Sequence, residues 1–400
     1  MSLISIDEAR QLILDSVRPL PAEARPLGEA LDRVLVEDVH ARTDVPPFAC
    51  SAMDGYAIHA GPAGRQLRLT GESRAGAPAD ATLGPGEAIR VSTGAAIPTG
   101  ATAVIPQENV GLEGDSILTR AGSPEGDHIR RPGEDMTAGT VVLDAGTTLG
   151  PLELGAAIAA GAAELAVARR PRVAILSTGD ELREPGAPLA TGQIHNSNAT
   201  MLAGMAGHCG SGVLDFVHIA DDREQTISRI GGALEAADAV VLSGGVSVGP
   251  HDHVKPALAA LGVQERFWGV ALQPGKPTWF GVAADDTLVF GLPGNPVSAV
   301  VTFSLFVAPA LAALQCGHAP RPPHRHARLG LAARRNPRRD QAVRVTLRAA
   351  PDGTLVARPT GAQGSHRLSS LLAADALAMI PAGTGSLEAG TVVALEALVR

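Results

Sequence analysis

Aromatic residues are scarce in this chain: 2% of 400, with one tyrosine and two tryptophans. Cores must be built mainly from alanine, valine and leucine, and 45% hydrophobic against 18% charged residues leaves ample material for them. Cysteine is nearly missing. Cys50, Cys209 and Cys316 are odd in number and far apart. That excludes a disulfide framework and a CxxC metal site, and leaves small packed thiols in a reducing cytoplasm. Positive charge is not in excess either. A net charge of −8 argues against nucleic acid as the main partner, because phosphate backbones select Lys/Arg surfaces. No run of about 18 uncharged apolar residues stands out, so no membrane span is expected. The first residues include Asp7, Glu8 and Arg10, where a signal peptide would be apolar.

Glycine and proline are plentiful, 46 and 30, as in a chain with many turns. The length predicts roughly two to four domains. Ser5-Ile-Asp-Glu8 has the form of a capping box, and Ala9, Leu12, Ile13 and Val17 then fall on one helical face. Residues 41–140 are short β-like runs (AIRVS, TAVIP, SILT) broken by glycine and proline, which reads as an all-β insert. Residues 150–167 return to helix. From Arg172 strands are expected near 173–176, 212–219, 238–242 and 287–290. Helices are expected from Ser197 or Asn198, near 222–236, and from Asn295-Pro296 onward, with Asn as N-cap and Pro at N1. Strands alternating with helices predict a doubly wound parallel sheet. Beyond about residue 321 the chain is β-like again (AVRVTLRA, LVARP, VVALEAL).

In an open parallel sheet, ligands bind beyond the carboxyl ends of the strands. Three such ends carry polar, glycine-rich loops: Ser177-Thr178-Gly179-Asp180-Glu181, Ser243-Gly244-Gly245-Val-Ser247-Val-Gly249 and Gly291-Leu-Pro293-Gly294-Asn295-Pro-Val-Ser298. Glycine lets backbone N–H groups approach an anion, hydroxyls add donors, and the helix opening at Pro296 adds a positive dipole end. The three together suit a phosphorylated ligand. Asp180 and Glu181 cannot bind phosphate, but beside one they suit Mg2+, a hard ion held by a few carboxylates plus phosphate oxygens. Gly245–Gly249 also has the G-x-S-x-G form of a hydrolase nucleophile elbow at Ser247. That elbow leads straight into a helix, whereas Pro250 and a polar stretch follow here. His251-Asp252-His253 has the look of a metal pair without further ligands nearby.

Pro46-Pro-Phe-Ala-Cys-Ser-Ala-Met-Asp-Gly-Tyr-Ala57 is more particular. It joins the three loops, Ser92-Thr-Gly-Ala-Ala-Ile-Pro98, Arg131-Pro-Gly-Glu-Asp135, Gly192-Gln-Ile-His-Asn-Ser-Asn198, Pro274-Gly-Lys-Pro277 and Gly361-Ala-Gln-Gly-Ser-His-Arg-Leu-Ser369 in an ordered set that spans nearly the whole chain. That set resembles the MoeA family, molybdopterin molybdenumtransferases related to the E domain of gephyrin. The resemblance implies a multidomain α/β plus β chain. Its parts are an elongated helical domain (1–40 and 141–170) with a β insert domain (41–140), a central doubly wound parallel α/β molybdopterin-binding domain (171–320) and a small C-terminal β-barrel-like domain (321–400). It implies a cytoplasmic homodimer, with the active cleft between the α/β domain of one subunit and the β insert of the other. The implied reaction puts molybdenum from molybdate into adenylylated molybdopterin and releases AMP, with Mg2+ assisting. An upstream adenylyltransferase and cofactor-accepting enzymes are the protein partners it suggests.

Matching positions then imply roles. Asp54, Thr93 and Asp135 are cleft residues, with Asp54 handling metal or water. Asp180, Glu181 and Asp252 are the acids for Mg2+ or pyrophosphate. Asp221 and Asp222 either join them or begin a helix, where acids favour the dipole. Ser177, Thr178, Gly179, Ser243, Gly244, Gly245, Ser247, Gly249, Pro293, Gly294 and Asn295 line the phosphate and pterin seat. Molybdate is a tetrahedral dianion, which Lys276 would attract. Ser298, Arg339, Arg344 and Ser365 match positions implied in oxyanion capture. The chain departs from the family pattern at Gly269 and Gln273, where many members have lysine, and at Ala342, where phenylalanine is more usual. Losing two close cations weakens anion capture by roughly a few kcal/mol, and Arg266 is the candidate to compensate. The missing lysines motivate a second reading, a non-catalytic pterin-binding or scaffold protein on the same fold. A serine hydrolase at Ser247 is the third.

Overall fold

The computed structural model describes residues 3–245, 253–316 and 325–399. Ser247, Gly249 and Asp252 lie outside the described residues. Two compact units divide the chain: Ala24–Val167, and Met1–Glu23 with Ala168–Arg400.

The larger unit is built on a six-stranded sheet. From edge to edge its strands are Gly212–Ile219, Arg172–Thr178, Ala239–Ser243, Leu288–Leu292, Trp279–Val282 and Gln264–Trp268. The first four run parallel, as the alternating pattern predicts. The last two add an antiparallel extension that the sequence reading lacked. Val173–Thr178 is buried throughout, the continuous burial expected of a strand covered on both faces.

One face is covered by the helices Ile6–Asp15 and Ser197–His208 and by the run from Pro296. Ser5 Oγ caps the first of these, accepting from Glu8 N–H at 3.1 Å. The helices Arg223–Ala236 and Val254–Ala260 cover the other face. Five of the seven phenylalanines (Phe267, Phe280, Phe290, Phe303 and Phe306) gather in the first core, with tilted ring pairs at 5.8 and 5.1 Å. The few aromatics are therefore concentrated where volume is needed, each burial contributing about 1.5–3 kcal/mol.

Pro296–Gln315 corrects the expectation that no long apolar run exists. An 18-residue window of this 20-residue helix has a mean hydropathy of 2.2, enough by length and composition to cross a membrane. Of that window 83% is buried, and the helix packs in the first core, so it is the core helix of an α/β unit.

A second sheet in this unit closes on itself. Arg325–Leu329 pairs with Val392–Ala397, which pairs with Ala376–Ile380, then Asp340–Ala349, then Leu355–Pro359, which returns to Arg325–Leu329. Its narrow interior is filled by small side chains such as Ala327, Ala357, Ala378 and Val345.

The smaller unit holds the predicted β insert. Its strands are Ala103–Pro106, Gly55–Ile58, Glu87–Val91, Gln66–Ser73, Ser116–Thr119 and Val110–Glu113, in sheet order. The helix expected over 150–167 stops early, at Pro151–Ala159. Gly161, at φ +86°, donates to Ile158 O, and Ala162 N–H donates to Ala157 O, both at 2.9 Å. This glycine-terminated pairing ends the helix, and Glu164–Ala168 continues as a strand.

Candidate active site

Arg172–Thr178 lies between its two parallel neighbours, so the strand order reverses around it. Ligands bind at such switch points. The three loops meet there. Ser177, Thr178, Gly179 and Glu181 from the first, Ser243, Gly244 and Gly245 from the second, and Gly294 and Asn295 from the third line one cleft of about 740 Å³. Asp221 joins them.

The loops converge because glycine removes side chains between them. Gly245 has φ +64°, and a Cβ there would sit 2.5 Å from Val254 Cγ2 and 2.7 Å from Thr178 Oγ1. Gly244 has φ +91°, and a Cβ there would sit 2.9 Å from Thr178 O. These glycines let the loops approach one another, a role the anion argument did not include. The helix N-terminus offers fewer donors than its sequence suggests. Pro296 has no N–H, and Val297 N–H donates to Ser365 O at 3.1 Å.

The acids separate into distinct roles. Asp221 N–H donates to Asp180 Oδ1 at 3.0 Å, and Asp180 N–H to Asp221 Oδ2 at 3.4 Å, which locks the two loops together. Asp222 caps the Arg223–Ala236 helix, its Oδ1 accepting from Gln225 N–H at 2.8 Å, and it does not line the cleft. Glu181 is exposed at the cleft. No lysine or arginine lines the cleft among the described residues; His195 and His366 are the groups there able to carry positive charge.

Residues outside the expectations also line the cleft. Asn196 is the N-cap of Ser197–His208, one position before the expected caps, and its Nδ2 donates to Ser177 Oγ at 2.6 Å. Asn198 Nδ2 donates to Ser243 Oγ and to Gly294 O, each at 2.8 Å. The sequence signals only a helix start here, with two asparagines around its first residue. Leu182, Ile194, His366 and Leu368 carried no such signal.

Pro293, Lys276, Ser298, Arg339, Arg344 and Ser365 do not line this cleft. Several of them gather nearby. Ser365 O accepts from Val297 N–H beside Ser298, Thr302 Oγ1 donates to Ser298 O at 2.8 Å, and a Cβ on Gly275 would lie 2.7 Å from Thr302 Cγ2, next to Lys276. Arg344 is wholly buried. Its Nε donates to Ser370 Oγ at 3.0 Å and its Nη2 to Gly364 O at 3.3 Å, while Nη1 has no hydrogen bond among the described residues. Burial lowers its pKa from the usual arginine value. Arg339 is half-buried, and its backbone N–H donates to Asn336 Oδ1 at 3.1 Å. At the departures, Gly269 adopts φ +91°, and Asn336 Nδ2 donates to Gln273 Oε1 at 2.6 Å. Arg266 is exposed.

In the smaller unit, Asp54 and Thr93 meet. Asp54 Oδ1 accepts Thr93 N–H at 2.7 Å and its hydroxyl at 3.0 Å, and these bonds hold the Asp54 carboxyl below the usual carboxylate range. Asp135 is exposed, and its N–H donates to Val45 O at 2.9 Å. Burial pushes the Cys209 thiol in the larger unit up to about 11, so it is no nucleophile.

Comparison with known proteins gives the family. The chain matches the MoeA N-terminal region (domain I and II) over residues 4–161, a probable molybdopterin binding domain over 174–313 and the MoeA C-terminal region (domain IV) over 326–398. It is 36% identical over 400 residues to the molybdopterin molybdenumtransferase of Haemophilus influenzae, covering 98% of each chain. It is 38% identical to molybdopterin molybdenumtransferase 2 of Mycobacterium tuberculosis, covering 97% of this chain and 98% of that one. The crystal structure of the molybdopterin biosynthesis MoeA protein of Pyrococcus horikoshii superposes with a TM-score of 0.83 at 32% identity, over 99% of this chain and 100% of that one. With three ordered matches and full-length relatives on one shared architecture, the chain belongs to the MoeA family of molybdopterin molybdenumtransferases.

Proposed function

We propose that this chain inserts molybdenum from molybdate into adenylylated molybdopterin, with release of AMP, in molybdenum cofactor biosynthesis. One observation carries the reading: three glycine-lined strand-end loops and two carboxylates face a single cleft at the switch point of the sheet.

Mg2+ fits the donors. Two carboxylates, with no lysine or arginine among the described lining residues, would repel a pyrophosphate, so a divalent ion between them is the chemistry this set calls for. Among the described residues no group of three or more His, Cys, Asp or Glu side chains forms a metal cage. Mg2+ needs none, because it takes one or two carboxylates and completes its shell with phosphate and water oxygens. Glu181 and Asp221 would hold it, Asp180 would orient Asp221, and Asp252 belongs to the same proposed set. The ion, when bound, offsets charge on the phosphate oxygens.

The loop hydroxyls of Ser177 and Ser243 bind the organic substrate. Lys276, Ser298, Arg344 and Ser365 collect molybdate, with Arg344 Nη1 as a buried unused donor. Asp54, Thr93 and Asp135 serve the same reaction through the motifs they occupy. The chain acts as a cytoplasmic homodimer of four-domain subunits, between an upstream adenylyltransferase and enzymes that accept the cofactor.

Purified protein given Mg2+, molybdate and adenylylated molybdopterin should release AMP and yield a cofactor that activates an apo-molybdoenzyme. Substrate binding without AMP release would replace this reading with the scaffold.

A further inference from the structure

A polar atom at the cleft, Asn198 Oδ1, has no partner among the described residues. Asn198 is 8% exposed and sits in the first turn of Ser197–His208. Its Nδ2 donates both to Ser243 Oγ and to Gly294 O. A carbonyl only accepts, so the Gly294 contact fixes which end of the amide is nitrogen. Oδ1 is thereby left buried with no hydrogen bond among the described residues. Asn196 is different: its Oδ1 accepts from Ala199 N–H at 3.2 Å, and its Nδ2 is also used. A buried acceptor without a donor is costly, so one kept at the wall of a cleft points to a donor on the ligand.

We infer that Asn198 Oδ1 accepts a hydrogen bond from the exocyclic amino group of the pterin, which makes Asn198 a specificity-determining residue; this rests on the proposed reading of the cleft as the molybdopterin seat. Ser243 Oγ already accepts from Asn198, so its own proton is free to be donated. Asn198 and Ser243, which both line the cleft, thereby offer one acceptor and one donor. Their complement is an amino group next to an unprotonated ring nitrogen, the C2–N1 edge of a pterin. A fully ionised phosphate has no proton to offer Oδ1, which directs the phosphate end away from Asn198 and toward the glycine loops.

The test measures binding of two probes to the full chain: a 2-amino-4-oxopteridine phosphate and its 2,4-dioxo counterpart. The second replaces the amino group by a carbonyl and places a hydrogen on N1, which reverses both polarities. The wild type should prefer the amino compound by about tenfold or more. Asn198→Ala should lose most of that preference. Asn198→Asp keeps an oxygen toward the ligand while breaking the tether to Gly294 O, so it should keep the preference even if its unfolding temperature falls. Equal binding of both probes by the wild type overturns the inference and leaves the pterin seat standing. So does an Asn198→Ala variant that weakens both probes equally, since that is the mark of a structural tether. If Asn198→Ala does not fold, loss of preference in Asn198→Asp overturns it instead. Failure of the amino probe to bind the wild type removes the pterin seat itself, and the inference with it.

Discussion

Asp54 takes both hydrogen bonds that Thr93 can offer it, N–H at 2.7 Å and O–H at 3.0 Å, across 39 residues of chain. The backbone bond is the larger cause of the lowered Asp54 pKa and the hydroxyl the second. The carboxylate is therefore ionised above the usual carboxylate range and loses its charge only as pH falls through the lowered value. Thr93→Val removes the hydroxyl and keeps the N–H. The acid limb of the molybdenum-transfer rate should then move to higher pH, which a pH–rate profile measures. An unmoved limb would detach Asp54 from the rate.

Asp54 and Glu181 are both exposed, so their removal should leave the folds intact. Asp54→Ala and Glu181→Ala should each fold and unfold at a temperature close to that of the wild type. Each should slow AMP release by about 100-fold or more, the scale seen when a group that stabilises developing charge is lost. Thermal unfolding beside an AMP-release assay separates the two effects. Wild-type rates in either variant would take that residue out of the site.

The parallel strands were legible because burial on both faces leaves a continuous apolar run, as in Val173–Leu176. Trp279–Val282 and Gln264–Trp268 escaped notice because a short antiparallel pair has neither a flanking helix nor clean alternation, and its register is interrupted between Glu265 and Phe267. At the cleft, glycines and hydroxyls after strands could be read as a ligand site without coordinates. Asn198 could not be singled out, because its meaning lies in Gly294, 96 residues away, which fixes its amide. Asp221 and Asp222 are adjacent in sequence and look alike there, and only the start of the helix separates cleft acid from cap.

Asp238 should govern acid stability. It sits at the amino ends of the strands, opposite the cleft, and accepts from Arg169 at 2.8 and 2.9 Å and from Arg172 N–H at 2.7 Å. Burial opposes its ionisation, but Arg169 and Arg172 outweigh it, and its carboxyl stays below the usual range. The stability it contributes is present above the unfolded carboxylate pKa and is lost as pH falls through the lower folded value. Asp238→Ala should cost about 2–3 kcal/mol at neutral pH, less than a fully buried pair because the Arg169 side chain is 29% exposed. The variant's stability should also depend less on pH in the acid range. Unfolding midpoints across pH 2–7, on the order of one unit apart, check this; an unchanged acid slope would rule it out.

Gly245→Ala should disrupt the cleft with little change at the surface. Its new Cβ would meet Val254 and Thr178, and φ +64° is unfavourable for alanine. A cost of about 1–3 kcal/mol is expected, along with weaker binding of a pteridine phosphate. Calorimetry of the variant measures both, and normal binding would show that the loop can shift without consequence for the ligand.

The two missing lysines should not be equally restorable. Gln273 is half-buried and held by Asn336 through its side chain alone, so Gln273→Lys gives up one hydrogen bond and keeps the backbone. Gly269 is buried at φ +91°, its N–H donates to Thr278 O at 2.8 Å, and a Cβ there would lie 2.9 Å from Leu3 Cδ2. A lysine at 269 must strain that backbone or push Leu3 aside, at a cost of about 1–3 kcal/mol. Gln273→Lys should therefore fold normally and bind molybdate more tightly, whereas Gly269→Lys should lower the unfolding temperature whatever it does for the anion. Molybdate titration and thermal unfolding of both variants test the contrast. Equal stability would mean that the turn at Gly269 is not what excludes the cation, and unchanged molybdate affinity in Gln273→Lys would mean that Arg266 or another group already supplies that charge.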